Sequence, residues 1–440
     1  MANPFDVDEF RREFREDYDF LREWREEAKE DLDFYLGKQW SSGDVAELEA
    51  KKRTWVTINK ILPIVSLVVG FFLTNRLDEK LFPVDGAGDE VIAGILSELV
   101  KHHHNQLRWQ KRNTFTDGVV TGMGWMEGLL RTDTNVFGDL TFDTASPFQM
   151  CFDSNTRSPL LTDCSRIFRS KYLSRFELKK HFPGQEKEVD GAISFIEANM
   201  ADFAEDAYAP DAMSSTYKVY RVVERWKRTW APRISLLDPN TGTVFPVENE
   251  EEALSIMNTS SVELIAIQTK SAGMDVDIML GMEAISHGES PFRPEMFPFI
   301  PFFGEFYQRN IRGIVRDLKD PQREINKRRS EATNVIIAAS KRGIVVSEGV
   351  DAQKLKDDWM GDIMPFIVLP KGVSWEVINP GPYPQGLAMA EQFASADIKE
   401  VSGVSPDLMG LQSPGGGRAS GRAVALRQQQ GITILATLID

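Results

Sequence analysis

GIVRDLKDPQREINKRRSEATN, residues 313–334, is where the reading of this chain begins. Between Arg309 and Arg342, ten Lys and Arg residues stand against Asp317, Asp320, Glu324 and Glu331, a surplus of six in a chain of net charge −15. Arg312, Arg316, Lys319, Arg323 and Lys327 are spaced by four, three, four and four, which puts them on one face wherever helix is continuous. By itself such a stripe reads as a solvated or ion-paired face. Asp320 followed by Pro321 marks a helix start, an acidic cap ahead of proline at the first helical position. The helix is expected to run to about Ala339 and to close at Gly343.

Downstream, Ile344 to Val346 reads as a strand, Ala352 to Met360 as a short helix, and Phe366 to Leu369 with Val373 to Ile378 as two more strands. A second long helix is expected from about Gln385 to Ser402, ended by Gly403 and the break at Val404 to Pro406. The loop LMGLQSPGGGRASG (408–421) follows, and a third helix starts near Arg422 and is still running at Leu438. A chain that stops inside a helical pattern is expected to be part of a longer protein.

Upstream, Phe10, Phe14, Tyr18, Leu21, Trp24, Ala28, Leu32 and Tyr35 form one apolar stripe on an otherwise charged helix that Asp6 or Asp8 caps and Gly37 ends. So narrow a stripe needs a partner surface, and in an oligomer a neighbour could supply it. Two further helices are expected, over Asn59 to Arg76 and from Asp89 through Arg112 toward Val120. From Gly122 the texture changes to strands, at Trp125 to Arg131 and Leu140 to Phe142. Short helices at Ser174 to His181 and Ala192 to Ala204 precede a sheet that begins with the alternating run Tyr217 to Arg233 and turns at Asn240 to Gly242. That sheet extends to about Ile278, with a helix at Glu250 to Met257. The Pro-rich stretch Pro291 to Phe303 reads as an extended connector. The fold class is α+β.

Composition supports a folded, multi-module protein: 42% of residues are hydrophobic and 10% aromatic. Cys151 and Cys164 alone make no disulfide framework and no zinc quartet, which fits a reducing compartment. The opening MANPFDVDEF has neither the basic nor the apolar region of a secretory signal. Ile61 to Leu73 is apolar but short of the roughly 20 residues a bilayer needs, so a buried helix is expected and no membrane partner. Enzyme signatures are missing. The glycines at 415 to 417 lack a following Gly-Lys-Ser/Thr, so they read as a flexible loop. His102, His103 and His104 lie consecutively on a helix and cannot converge on one metal. Asp275 and Asp277 read as ordinary strand alternation. No catalytic residue, metal or cofactor is expected.

Particular stretches resemble the portal proteins of tailed double-stranded DNA phages. Gly313 to Asn334 looks like their lead-in to the first stem helix, with Asp320, Pro321, Gln322 and Asn326 matching most closely. ASGRAVALRQQQG (419–431) is similar to the helix start after their tunnel loop. DFYLGKQW (33–40), TINKI (57–61), Gly70 with Asn75 and Arg76, and DGVVTGMGW (117–125) resemble the N-terminal region of the large portals of short-tailed phages.

The resemblance implies an α/β wing over 1–308, a first stem helix region over 309–342, and a small α/β clip over 343–384. A second stem helix over 385–404, a tunnel loop over 405–421 and the start of a long wing or crown helix over 422–440 complete the plan. It also implies a homo-oligomeric ring, typically of twelve subunits, at one capsid vertex of the virion, assembled in the host cytoplasm. The ring would be the channel for double-stranded DNA in packaging and ejection. Its partners would be the terminase large subunit, tail adaptor proteins, and major capsid and scaffolding proteins. An acidic chain suits a channel along which DNA must slide without a tight phosphate site. On this reading Arg418, Arg422, Arg323 and Lys327 face the lumen. Trp359, Met360 and Trp375 are clip core or intersubunit contacts before they are a terminase or adaptor docking site. Truncating residues 1 to 36 is expected to impair assembly. The alternative from another class is a DNA-processing packaging enzyme, terminase or nuclease; a head-completion or scaffold-like protein is a third reading, without paired stem helices.

Overall fold

The computed structural model describes residues 5–74, 80–83, 90–131, 135, 138–198, 218–239, 241–247, 250–259, 264–292, 296–340, 343–346, 375–378 and 385–403. The chain divides into two compact units, one drawn from Met1–Leu32 and Leu67–Arg316, the other from Asp33–Ser66 and Asp317–Leu438.

In the first unit the charged N-terminal segment forms α1 (Val7–Phe20) and then α2 (Arg22–Tyr35), with Leu21 as the turn between them. Asp6 caps α1 by accepting from the amides of Asp8 and Glu9. The stripe is buried at Phe10, Leu21, Trp24 and Ala28. Its partner lies in the same chain: Phe10 and Phe14 each meet the Phe168 ring edge-on at 5.3 Å, and the Trp24 indole donates to Thr121 O. A neighbouring subunit is not needed to cover it. Truncating residues 1 to 36 would open this core, so that variant tests folding rather than assembly.

α4 (Ile61–Thr74) follows α3 (Ser42–Ala50), and α5 (Glu90–Gln106) leads into α6 (Arg108–Thr121). Among the described residues no helix is long and apolar enough to cross a membrane. Then β1 (Met123–Arg131) pairs antiparallel with β2 (Asp139–Ala145) on one side and β9 (Phe299–Phe303) on the other. The supposed connector therefore ends as a strand. Its Pro301 is tolerated because β9 pairs with β1 alone, so a missing N–H there interrupts no second ladder.

The larger sheet runs β3 (Met150–Phe152), β4 (Arg166–Ser174), β5 (Val219–Leu237), β7 (Ile265–Leu280), β8 (Glu283–Glu289), with β6 (Val244–Pro246) paired to β5. All its pairings are antiparallel. Strand β8 was not expected: in EAISHGE only Ile285 is buried, so it carries no apolar alternation to betray it. α7 (Arg175–His181) begins at Ser174 with a reciprocal cap from Glu177, and α8 (Glu186–Ala198) and α9 (Glu250–Thr259) are further helices of this unit. β10 (Glu305–Tyr307) and β11 (Asn310–Arg312) form a separate hairpin.

DGVVTGMGW sits where backbones meet. A Cβ on Gly124 would lie 1.9 Å from Thr114 O, and Gly122, at φ +90°, ends α6 in the left-handed region against the backbone of Arg312.

The basic segment differs from expectation at its start. Helix α10 spans Ile314–Ser340 with Pro321 inside it. Val315 and Leu318, both buried, extend the helical pattern ahead of Asp320, and their burial offsets the hydrogen bond that proline cannot make. In the second unit β12 (Gly343–Val346) pairs antiparallel with β13 (Trp375–Ile378), Gly343 opposite Ile378. α11 (Gln385–Ser402) then returns and ends before Gly403, at φ +65°. The expected helix at 352–360, the strand at 366–369, the loop at 405–421 and the helix from 422 lie outside the described residues.

Candidate functional site

The second unit brings together three of the stretches singled out above: residues 33–40, residues 57–61, and the helix beginning at Asp320. Gln322, Asn326, Ser330 and Asn334 recur every fourth residue along α10 and clasp the backbone of residues 54–60. Gln322 accepts from Lys60 N and donates to Ile58 O; Asn326 accepts from Ile58 N. Ser330 accepts from Val56 N, and Asn334 accepts from Thr54 N and donates to Thr54 O. Four helical residues advance about 6 Å and two extended residues about 6.6 Å, so one side chain meets every second peptide. The extended segment thus finds on a helix the partners that a sheet would otherwise give it.

Asn326 also donates to Gln39 Oε1 at 2.6 Å, and Gln39 donates to Phe34 O. Asn59 donates to Tyr35 O and caps α4 by accepting from Ile61 N and Leu62 N. Lys60 donates to Ser395 Oγ on α11, and burial lowers the Lys60 pKa. A period-four stripe of amides and a hydroxyl on a basic helix was the signal that could have disclosed this site.

The basic stripe splits along α10. Arg316 is held by Glu27 and by Asp31 at 3.0 Å, Arg312 by Glu305, and Lys319 is buried. Arg323 and Lys327 are exposed. Arg323 reaches Asp320 at 2.6 Å, and its guanidinium lies 4.9 Å from the centroid of the Phe34 ring. Arg328 pairs with Glu324 and Glu331, and Arg329 with Glu391 of α11. The i,i+3 and i,i+4 pairs of Arg323 and Arg328 use carboxylates of the segment itself, and Glu27, Asp31, Glu305 and Glu391 from outside it offset part of the surplus. Trp375 stands opposite Val346 in the β12–β13 ladder. Arg418, Arg422, Trp359 and Met360 lie outside the described residues.

The first unit holds a buried ionic network under α1. Asp17, fully buried, accepts from Arg166 Nε and Nη2 at 2.8 and 3.0 Å and from Ser154 N. Burial outweighs these bonds and pushes its pKa up to about 6. Arg225 joins Glu13 to Asp277, and Asp277 also contacts His287 Nδ1 at 2.5 Å. Asp277 is thus a structural carboxylate. No group of three or more His, Cys, Asp or Glu able to hold a metal occurs among the described residues.

Asp117 of α6 has its pKa pushed up to about 7 by burial alone. Its folded-state pKa lies above the unfolded value, so the folded state keeps a proton that the unfolded state has lost. Stability therefore falls as pH rises from about 4 to about 7 and is level above that. The side chain is partly accessible, so water screens part of the cost. Asp117→Asn should stabilise by about 1–2 kcal/mol at pH 8 and flatten the slope between pH 4 and 7. Thermal melts of both chains across that range test this; equal slopes would disprove it.

A model of the phage P22-like portal protein family matches residues 11–440. No curated protein matches the chain.

Proposed function

The chain belongs to the phage P22-like portal protein family, and from that premise we propose that it forms a dodecameric ring at one capsid vertex. The ring is the channel through which double-stranded DNA is packaged and later ejected, and the platform on which the terminase large subunit and then tail adaptors dock. A portal is a structural component of the phage head, and the chain is read as a connector and not as an enzyme.

The observation that carries this reading is the order α10, β12, β13, α11 in the second unit. The β12–β13 ladder reverses the chain, and Arg329 with Glu391 and Lys60 with Ser395 tie the returning helix back. Such a helix, two-stranded ladder and returning helix fit the stem and clip of a portal. We take residues 1–308 as wing, 343–384 as clip and 405–421 as tunnel loop. Trp359, Met360 and Trp375 are assigned to clip core or subunit contacts. Negative-stain images of purified protein should show annular particles with a central hole. A compact monomer under all conditions would end the proposal.

Arg323 and Lys327, with Arg418 and Arg422, are assigned to the lumen. A few cations repeated round a ring give a fixed, sequence-independent collar, weak enough for DNA to slide. The variant Arg323→Ala/Lys327→Ala should keep its ring mass while the slope of log affinity for DNA against log salt becomes shallower by about one to two. An unchanged slope, or a ring structure with these side chains buried between subunits, removes the assignment. Pure protein should show no ATP turnover; measurable turnover would favour a packaging enzyme.

A further inference from the structure

Helix α6 turns two arginines and a tryptophan to solvent. Arg108 and Arg112 stand one turn apart, about 6 Å along the axis, and both are exposed; Trp109, between them in the chain, is 63% exposed. The other sides of the helix are covered. Phe115 stacks on Phe72 at 4.0 Å and meets Phe302, and Thr114 donates to Trp125 O. Gln110, two residues from either arginine and so on the far side of the helix, donates to Phe142 O of β2.

Neither arginine has a carboxylate partner among the described residues, whereas Arg323, Arg328 and Arg329 of α10 are each paired. The neighbouring sequence supplies none. From Leu99 to Thr116 the chain carries Lys101, Arg108, Lys111 and Arg112 and no Asp or Glu. The carboxylates that bound this stretch are Glu98, three residues before Lys101, and Asp117, whose pKa burial pushes up to about 7.

The donors of the stretch narrow the ligand. Every polar side chain from Lys101 to Thr116 carries an N–H or O–H donor, and none is an acceptor alone. An acidic protein surface sets cations and amide donors among its carboxylates, and no carboxylate stands here to meet them. A phosphodiester backbone offers acceptors only. Duplex DNA presents one charge per about 1.7 Å of axis, so two arginines one turn apart find phosphates in any register.

We propose that Arg108, Trp109 and Arg112 form a contact site for the phosphate backbone of duplex DNA, distinct from Arg323 and Lys327. This rests on the portal reading above and deepens it by naming a further surface that DNA touches. The guanidinium groups neutralise phosphates, and the Trp109 indole donates to a phosphate oxygen beside them. Such contact is weak and blind to sequence, which suits a duplex that must move.

The test uses the full chain and a short duplex of mixed sequence, with affinity measured across a salt series. Arg108→Ala/Arg112→Ala should weaken binding about 10- to 100-fold at about 0.1 M salt and make the slope of log affinity against log salt shallower by about two. Arg108→Lys/Arg112→Lys should keep the wild-type slope, because an ammonium also neutralises a phosphate. Both variants should keep the light-scattering mass of the wild type and melt within about 2 °C of it, because the substituted side chains are exposed. Cys151 and Cys164 are both buried, so Trp109→Cys provides an accessible thiol for a benzophenone maleimide. Photolysis of the labelled chain with the duplex should then give a protein–DNA adduct.

Three outcomes would overturn the site while leaving the portal reading in place. They are a salt slope that the alanine pair leaves unchanged, a ring that the alanine pair dissociates, and a photoproduct with a second copy or an added acidic protein but none with DNA. If the wild-type chain forms no ring, the portal reading fails, and the salt slope and the adduct alone decide whether DNA meets α6.

Discussion

Arg225→Met should cost about 3–5 kcal/mol of stability, read as a fall in the urea midpoint followed by tryptophan fluorescence. Arg225 is buried on β5, the central strand of the larger sheet. It is held at 2.6 Å by Asp277 on the neighbouring strand and at 2.8 Å by Glu13 from α1. The register explains the first contact, since Arg225 stands directly opposite Asp277. Removing the guanidinium leaves a carboxylate that is 1% exposed with His287 as its remaining side-chain partner in the network. The cost is therefore that of stranding a buried charge, much larger than the worth of a surface pair. Glu13 keeps Lys227 at 3.0 Å and Arg166 at 3.6 Å, so α1 should loosen without detaching. The double change Arg225→Met/Asp277→Leu should recover at least half of the loss, because both charges are then gone and apolar volume takes their place. If the single change moves the midpoint no more than an ordinary surface substitution, the network is not a structural clamp.

Asn326→Ala should cost about 2–4 kcal/mol and speed amide exchange at Ile58 by about 100-fold. Asn326 is buried at 1% exposure, and its amide serves Ile58 N, Gln39 and Gln322 together. Alanine leaves the Ile58 N–H without its acceptor and Gln39 Oε1 without its donor, in a place with little room for water. Each stranded polar group carries a penalty of about 1–3 kcal/mol. The amides of Thr54 and Val56, bonded to Asn334 and Ser330, should change much less. That gradient separates loss of one rung from general loosening of the second unit. Uniform acceleration from 54 to 60 would show that the rungs do not act separately.

Much of the local structure was written in the residues. The helix Gln385–Ser402 was legible, since spacing and end signals act over a few residues, and so was helix from Asp89 toward Val120, although not the break at Leu107 that divides it into α5 and α6. The cap at Ser174, the turn containing Gly242 and the stop at Gly403 are likewise local, because each depends on one side chain or one permitted φ. Long-range matters were not legible. Pro321 marked a helix start in the residues, yet the burial of Val315 and Leu318 carries α10 back to Ile314. The Pro-rich stretch concealed a strand because β9 needs only one partner, which no local pattern specifies.

The candidate site divides along the same line. The residues by themselves determined where most helices and strands lie, that residues 309–342 are basic within an acidic chain, and which stretches carry the family resemblance. Only the tertiary structure decided that Gln322 and Asn326 hold the backbone of residues 58–60, and that Arg316 is neutralised while Lys327 is exposed. Helix spacing places charges on a face. Whether a face meets carboxylates, a backbone or water depends on segments far away in the chain, such as Ile58, 268 residues from Asn326, and Asp31, 285 residues from Arg316.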